Sequence, residues 1–220
     1  MKSFWTFVLL YFLCNLSFGQ IAVIKDDDGF TNVRKLPNID SEIIYKLKDS
    51  EVFSFQNNDK ELDWVPIFIS KNKFHLQCGE DEYLKGYIHK TRLHPIEDLD
   101  EYKGKTFSFN YNLKKFSLDN KICDFDGEWL TGINGRKFYG TDGNIPKIEV
   151  AGIKAMMNGK IIKIPSILYE DIFECNHSFQ IKKNKDNYIV YQWNSDGAGA
   201  YLIVWVFGSD SLKQRLILIP

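Results

Sequence analysis

The sequence predicts a mainly β protein made of two successive β-rich modules, a small barrel-like one followed by a second of sandwich or barrel type. Three observations predict it. Short runs of β-branched and aromatic residues recur along the chain, separated by polar turns rich in Asp, Asn, Gly and Pro, the pattern of many short strands. Aromatic residues make up 15% of the chain, ample material for packed cores. A compact polar connector, "DLDEYKG" (Asp98 to Gly104), divides the runs into two groups, each near the ordinary size of a small domain.

Before the first module stands a segment with the character of an export signal. Met1-Lys2 supplies a positive start and "FWTFVLLYFLC" (Phe4 to Cys14) an apolar run within the usual span of about 7–15 residues. Ser17 and Gly19 are small residues at the −3 and −1 positions of a cleavage site that leaves Gln20 as the new N-terminus. A membrane anchor needs about 20 apolar residues, and polar Asn15 and Gln20 follow too soon for one. A lipid anchor on Cys14 is disfavoured by the bulk of Leu13 before it. The expected protein is therefore exported, periplasmic or secreted, with no membrane span after cleavage of residues 1–19.

Removing that segment takes away one lysine and no acid, which leaves a net charge of −2. So even a balance argues against a nucleic-acid binder, which is normally clearly basic. Cys78, Cys123 and Cys175 survive cleavage, and none belongs to a Cys-x-x-Cys pair that would point to a metal or a dithiol. They read as small buried hydrophobes, with a Cys123–Cys175 bridge as the sharper alternative for an oxidising compartment.

The first module covers residues 20–97. Its strand-like runs are "IAVIK", "EIIYKL", "EVFSFQ", "WVPIFIS" and "KGYIHK", with turn-rich pieces "DDDG", "LPNIDS", "QNNDKELD" and "CGEDE" between them. Pro37 fixes φ in the turn after "NVR". Val33, Ile43, Leu47, Val52 and Ile88 are core candidates by alternation. These residues carry a resemblance. Asn32-Val33-Arg34, Pro37, Ser41, Ile43-Ile44, Leu47, Val52, Trp64 with Ile67, and Gly86-Tyr87-Ile88 follow the order and spacing of bacterial SH3-like (SH3b) domains. Two departures stand out: "SKNKFHLQCGEDEYLK" lengthens the connection before the last strand, and Ser50 replaces the usual glycine before the valine strand. The resemblance implies a five-stranded barrel of an exported cell-envelope protein, one that binds peptide, peptidoglycan or a protein partner. Arg34 reads first as a ligand of loop carbonyls and second as a ligand-binding residue. Trp64 and Tyr87 either line a peptide groove, as aromatic faces do for extended chains, or are half-buried core.

The second module covers residues 105–220. "KTFSFNYNL", "IEVAGIKAMM", "KIIKI", "YIVYQW", "YLIVWVF" and "QRLILIP" read as strands. Asn158-Gly159 suits a type I′ hairpin turn, whose two central residues need positive φ. "PSILYEDIF" is expected to open a short helix with Ser166 as N-cap. The stretches "YGTDGNIP" and "SDGAGAY" are similar to those of uncharacterised exported bacterial domains, a resemblance that implies an address and no reaction.

Tests for catalytic chemistry fail on spacing. "KGKT" ends like a phosphate loop, but its first glycine position is Leu99; "GAGAYL" has Leu202 where the third dinucleotide glycine belongs, and a strand follows it. Ser70-x-x-Lys73 lacks the companion motifs of its enzyme class, and Cys123 has no nucleophile context, with His177 the only histidine downstream. His75, His89, His94 and His177 show no ligand spacing. With Gly127 at the invariant glycine of a calcium loop, positions 1 and 12 are Ile122 and Ile133. No catalytic residue, metal ligand or cofactor is assigned. One loop stays open: Asn194 to Ala200 joins two strong strands and exceeds the two to five residues of an ordinary hairpin loop. Either a bulge at Gly197 or Gly199 absorbs the surplus, or Asp196 and the neighbouring backbone, with Gly197 and Gly199, face a ligand or the partner module. The expected function is binding rather than catalysis. The alternative is a hydrolase of envelope polymers using Asp124, Asp126, Asp142 or Asp196.

Overall fold

The computed structural model describes residues 20–56, 62–76 and 82–219. The predicted export signal, Cys14 and Cys78 lie outside the described residues. The fold is mainly β, as expected. Strands β1 (Gln20–Ile24), β2 (Phe30–Arg34), β3 (Ile43–Lys48), β4 (Phe53–Phe55), β5 (Trp64–Ser70), β6 (Tyr83–His89) and β7 (Leu93–Pro95) form one sheet in the order β3-β2-β6-β5-β4-β1-β7. That is two strands more than the resemblance implies. Alternation carries its core: in β5, Val65, Ile67 and Ile69 are buried between half-buried neighbours, and they pack with Ala22, Val33, Leu47, Phe53 and Ile88.

Val33, Leu47, Val52 and Ile88 are fully buried as expected, but Ile43 is 50% exposed. The pairing of β2 with β3 shifts register between Val33 and Arg34, which sets Ile43 opposite Arg34 at the strand's outer end. Ile44, one residue on, packs against the core instead. A bulge thus moves the apolar residue by one place, which alternation alone does not reveal.

The second module contains β8 (Phe107–Lys115), β9 (Cys123–Asp126), β10 (Trp129–Ile133), β11 (Ile148–Met157), β12 (Lys160–Ile162), β13 (Gln180–Asn184), β14 (Asn187–Asn194), β15 (Tyr201–Phe207) and β16 (Leu212–Leu218). They form a β12-β11-β8 sheet, a β13-β14-β15-β16 sheet and a β9-β10 hairpin. Asn158 and Gly159 have φ of 51° and 77°, the type I′ turn expected between β11 and β12. Ser166 does not cap a helix: it is the first residue of a single 3-10 turn, Ser166–Leu168, and Pro165 precedes it without a side-chain cap.

The continuous apolar run of β15 has a direct physical cause. Tyr201, Ile203, Trp205 and Phe207 face the β8-β11-β12 sheet. Leu202, Val204 and Val206 face Ile21, Val23, Val52 and Ile96 of the first module and Leu99 of the connector. All seven residues of β15 are buried because its sheet is the middle of three layers. β1 does the same on a smaller scale, with Ile21 and Val23 in the shared core and Ala22 and Ile24 in the core of the first module.

Polar side chains complete the joint. The Gln214 amide accepts from the Val52 N–H at 2.9 Å and donates to the Val52 carbonyl at 2.8 Å, which satisfies a strand end as a neighbouring backbone would. Lys182 Nζ donates to the carbonyls of Glu97 and Leu99 at 3.1 and 2.8 Å. The polar connector is itself docked: Tyr102 N donates to the Ile181 carbonyl and Lys183 N to the Asp100 carbonyl. The described part of the extra length around Lys73 to His75 runs beside β16, with Phe74 bridged in parallel to Arg215.

Cys123 and Cys175 are free thiols, so the alternative of a bridge between them is not realised. Cys175 is 2% exposed in the large aromatic core, where burial pushes its thiol up to about 12. Cys123 packs against a separate cluster around Phe116 and Phe173. Among the described residues no helix is long and apolar enough to cross a membrane.

Candidate functional site

Two clefts take in Arg34 and Trp64, and Asp142 and Asp196, of the residues singled out in the sequence; Gly197 and Gly199 line neither. The first, of about 330 Å³, opens on the outer face of the first module, where the β1–β2 turn, the loop after β2 and the ends of β5 and β6 meet. Arg34 and Trp64 both line it. Arg34 Nη1 donates to the Ser41 carbonyl at 2.7 Å, and Leu36 N donates to Ser41 Oγ at 2.9 Å. The guanidinium therefore holds the 35–42 loop closed, its expected structural task, and carries Ile39 to the lip of the cleft. Trp64 is paired with His89 across β5 and β6, and their rings meet edge to face at 5.6 Å. Asp26 and Arg92 form a 3.0 Å ion pair that joins the turns on the other side. The cleft thus offers a half-buried indole, an imidazole, Phe30 and Ile39, with charges of both signs at its margin.

Tyr87 is not among the lining residues. It is half-buried on β6, paired with Pro66 and with Arg34. Sequence reading missed Asp26, Phe30, His89 and Arg92. The signal lies in "DDDGF" and "HKTR", but nothing local places these two turns side by side.

The second cleft, of about 480 Å³, is where "YGTDGNIP" meets "SDGAGAY". The two loops are each other's partner. Ser195 Oγ donates to the Gly140 carbonyl at 2.7 Å, and Gly140 N donates to the Gly199 carbonyl at 2.8 Å. A Cβ on Gly199 would stand 2.7 Å from backbone N and C of Thr141, so glycine is required there by close approach. Gly197 has φ +58°, a left-handed conformation that favours glycine. Most of the surplus length of the 194–200 loop is spent on this docking, with a 3-10 turn at Gly197–Gly199.

Asp196 lines the cleft together with Asp142, Glu174 and Lys147. One oxygen of Glu174 accepts from the N–H groups of both Lys147 and Ile148, which ties the 145–148 segment to the 174 turn. Asp124 and Asp126 stand apart, exposed on β9. Among the described residues no three His, Cys, Asp or Glu side chains are grouped to hold a metal ion.

No family model matches this sequence. No curated protein and no solved structure matches it either.

Proposed function

We propose that this chain is an exported, non-enzymatic binding protein of the bacterial cell envelope, whose first module is SH3-like and engages peptide, peptidoglycan or an envelope protein. The observation that carries the reading is the convergence of Arg34 and Trp64 with Phe30, Ile39 and His89 in one open cleft. Aromatic faces flanked by charge suit an extended peptide, whose side chains stack while its backbone finds polar partners. The second module contributes a broad surface fixed rigidly to the first. Co-sedimentation of the folded protein with purified peptidoglycan tests the cell-wall version. Binding is expected, and Trp64→Ala is expected to weaken it about 30-fold, the scale of an aromatic hot spot. Absence of binding by folded protein removes that version and leaves peptide and protein partners.

A specific observation favours one second reading. Asp142 and Asp196, from loops 54 positions apart, share the second cleft with Glu174. Carboxylates brought together in a cleft are the raw material of acid–base hydrolysis of envelope polymers. A hydrolytic activity on peptidoglycan fragments that Asp142→Asn and Asp196→Asn both abolish would replace the binding reading. Unchanged activity in both variants would dismiss the hydrolase.

A further inference from the structure

We infer that His75 is an acid-sensitive latch that holds the 72–76 strap of the first module against β16 of the second. The inference rests on the joint between the modules and does not depend on the ligand of either cleft. The strap is held by backbone on both sides of its bridge: His75 N donates to the Arg215 carbonyl at 3.0 Å, and Arg215 N donates to the Lys73 carbonyl at 2.8 Å. Arg215 Nη1 also donates to the His75 carbonyl. Three hydrogen bonds, from Lys73 and His75 on one side to Arg215 on the other, join the modules.

The surroundings of the ring make this joint sensitive to charge. His75 is 1% exposed and Arg215 is fully buried. The imidazole lies 5.1 Å from the Tyr83 ring of β6; among the described residues neither of its nitrogens has a partner in full hydrogen-bond geometry, and the Ile217 backbone favours its proton. Among the described residues, two charged groups act on the ring. From β16 comes the Arg215 guanidinium, which repels a protonated ring. From the turn before β6 comes Glu82, half-buried, which attracts it. Asp171 is spent on Arg215, with Nη2 to Oδ1 at 2.6 Å, and the field of that pair is felt by the buried Tyr111. Among the described residues no carboxylate is hydrogen-bonded to the ring to balance a second buried cation.

Burial is the largest influence on His75 and outweighs Glu82, so the folded ring releases its proton more readily than a free histidine. The sign follows from linkage. The detached strap binds a proton near the ordinary value of about 6.5, whereas the docked strap binds it only at lower pH. The contribution of the latch is fully present above that ordinary value and is lost as pH falls through the depressed one. Acidification therefore frees the strap before it unfolds the cores.

The test is hydrogen–deuterium exchange of the protein beginning at Gln20, wild type and His75→Phe, at pH 7.5 and pH 5.0, with intrinsic exchange rates divided out. A loss of protection at pH 5.0 is expected in wild-type segments 72–76 and 212–218. It is expected to be absent in H75F, whose ring fills the site without titrating. Equal pH responses in the two proteins would overturn the latch. Should H75F fail to fold, the wild-type His75 ring is titrated by NMR. A midpoint below that of free histidine supports the latch, and a midpoint at or above it overturns it.

Discussion

The two faces of the β13-β14-β15-β16 sheet are built from different chemistry. The face toward β8 is aromatic: Phe107 stacks on Tyr188 at 4.7 Å, Phe109 lies 5.7 Å from Phe207, and Trp205 Nε1 donates to the Tyr111 hydroxyl at 2.9 Å. Such a core is held by ring geometry and by fully buried hydrogen bonds, that of Tyr201 to the Phe173 carbonyl among them. The face toward the first module is almost wholly aliphatic, with Ile189, Leu202, Val204, Val206, Leu216 and Leu218. It is rimmed by side chains that hydrogen-bond across the joint, Gln214, Lys182 and Asn184, while Arg215, buried on the opposite face over Trp205, reaches the His75 carbonyl. The difference teaches how a joint between modules becomes permanent. Apolar area supplies the adhesion, and buried amide and guanidinium groups fix one register, because a slipped docking would strand them without partners.

The largest effect is expected where this register is buried deepest. Arg215→Met leaves Asp171 buried without its cation and should cost about 3–5 kcal/mol, the penalty of breaking a buried pair, measured by urea unfolding. Burial already pushes the Asp171 carboxyl up against the pull of Arg215, so the variant should lose stability further as pH rises and that carboxyl ionises. Next comes Leu202→Ala on the aliphatic face, expected to cost about 2–5 kcal/mol as a cavity in a close-packed core. If the joint is permanent, L202A lowers the stability of both modules together. Separate loss from one module would break the comparison.

Gly199→Ala is expected to cost about 1–3 kcal/mol through overpacking, because the new methyl meets the Thr141 backbone. It should also displace the 140–147 loop while leaving the first cleft unchanged, as amide chemical shifts would report. The smallest effect is expected at Lys185, whose ion pair with Asp49 crosses the same joint but at the half-exposed rim. Lys185→Ala should cost about 0–1 kcal/mol, and less in high salt. A cost above Leu202→Ala would mean that rim charge, not apolar area, holds the modules.

Much of the fold was legible in the sequence, because strands announce themselves by alternation. "IEVAGIKAMM" and "YLIVWVF" coincide with β11 and β15 residue for residue. What alternation hides is the environment on each side. The run Tyr201–Phe207 declared a strand but not that its two faces serve different modules. "QIKKN" is too polar to declare β13, yet Lys182 is buried where it caps carbonyls of the connector. Ile43 failed as a core residue through a bulge that no local signal marks. For the clefts, Arg34 and Trp64 were reachable from the SH3-like pattern, whereas the meeting of Gly140 with Gly199 is a contact between distant loops. His75 read as an unremarkable histidine because its meaning depends on Arg215, 140 positions away.

The account's central claim is that the shared aliphatic core makes the two modules one cooperative unit. Differential scanning calorimetry of the protein beginning at Gln20, at neutral pH, tests it most directly. A single transition whose calorimetric and van't Hoff enthalpies agree is the expected result. Two resolved transitions, or a van't Hoff enthalpy near half the calorimetric one, would contradict it.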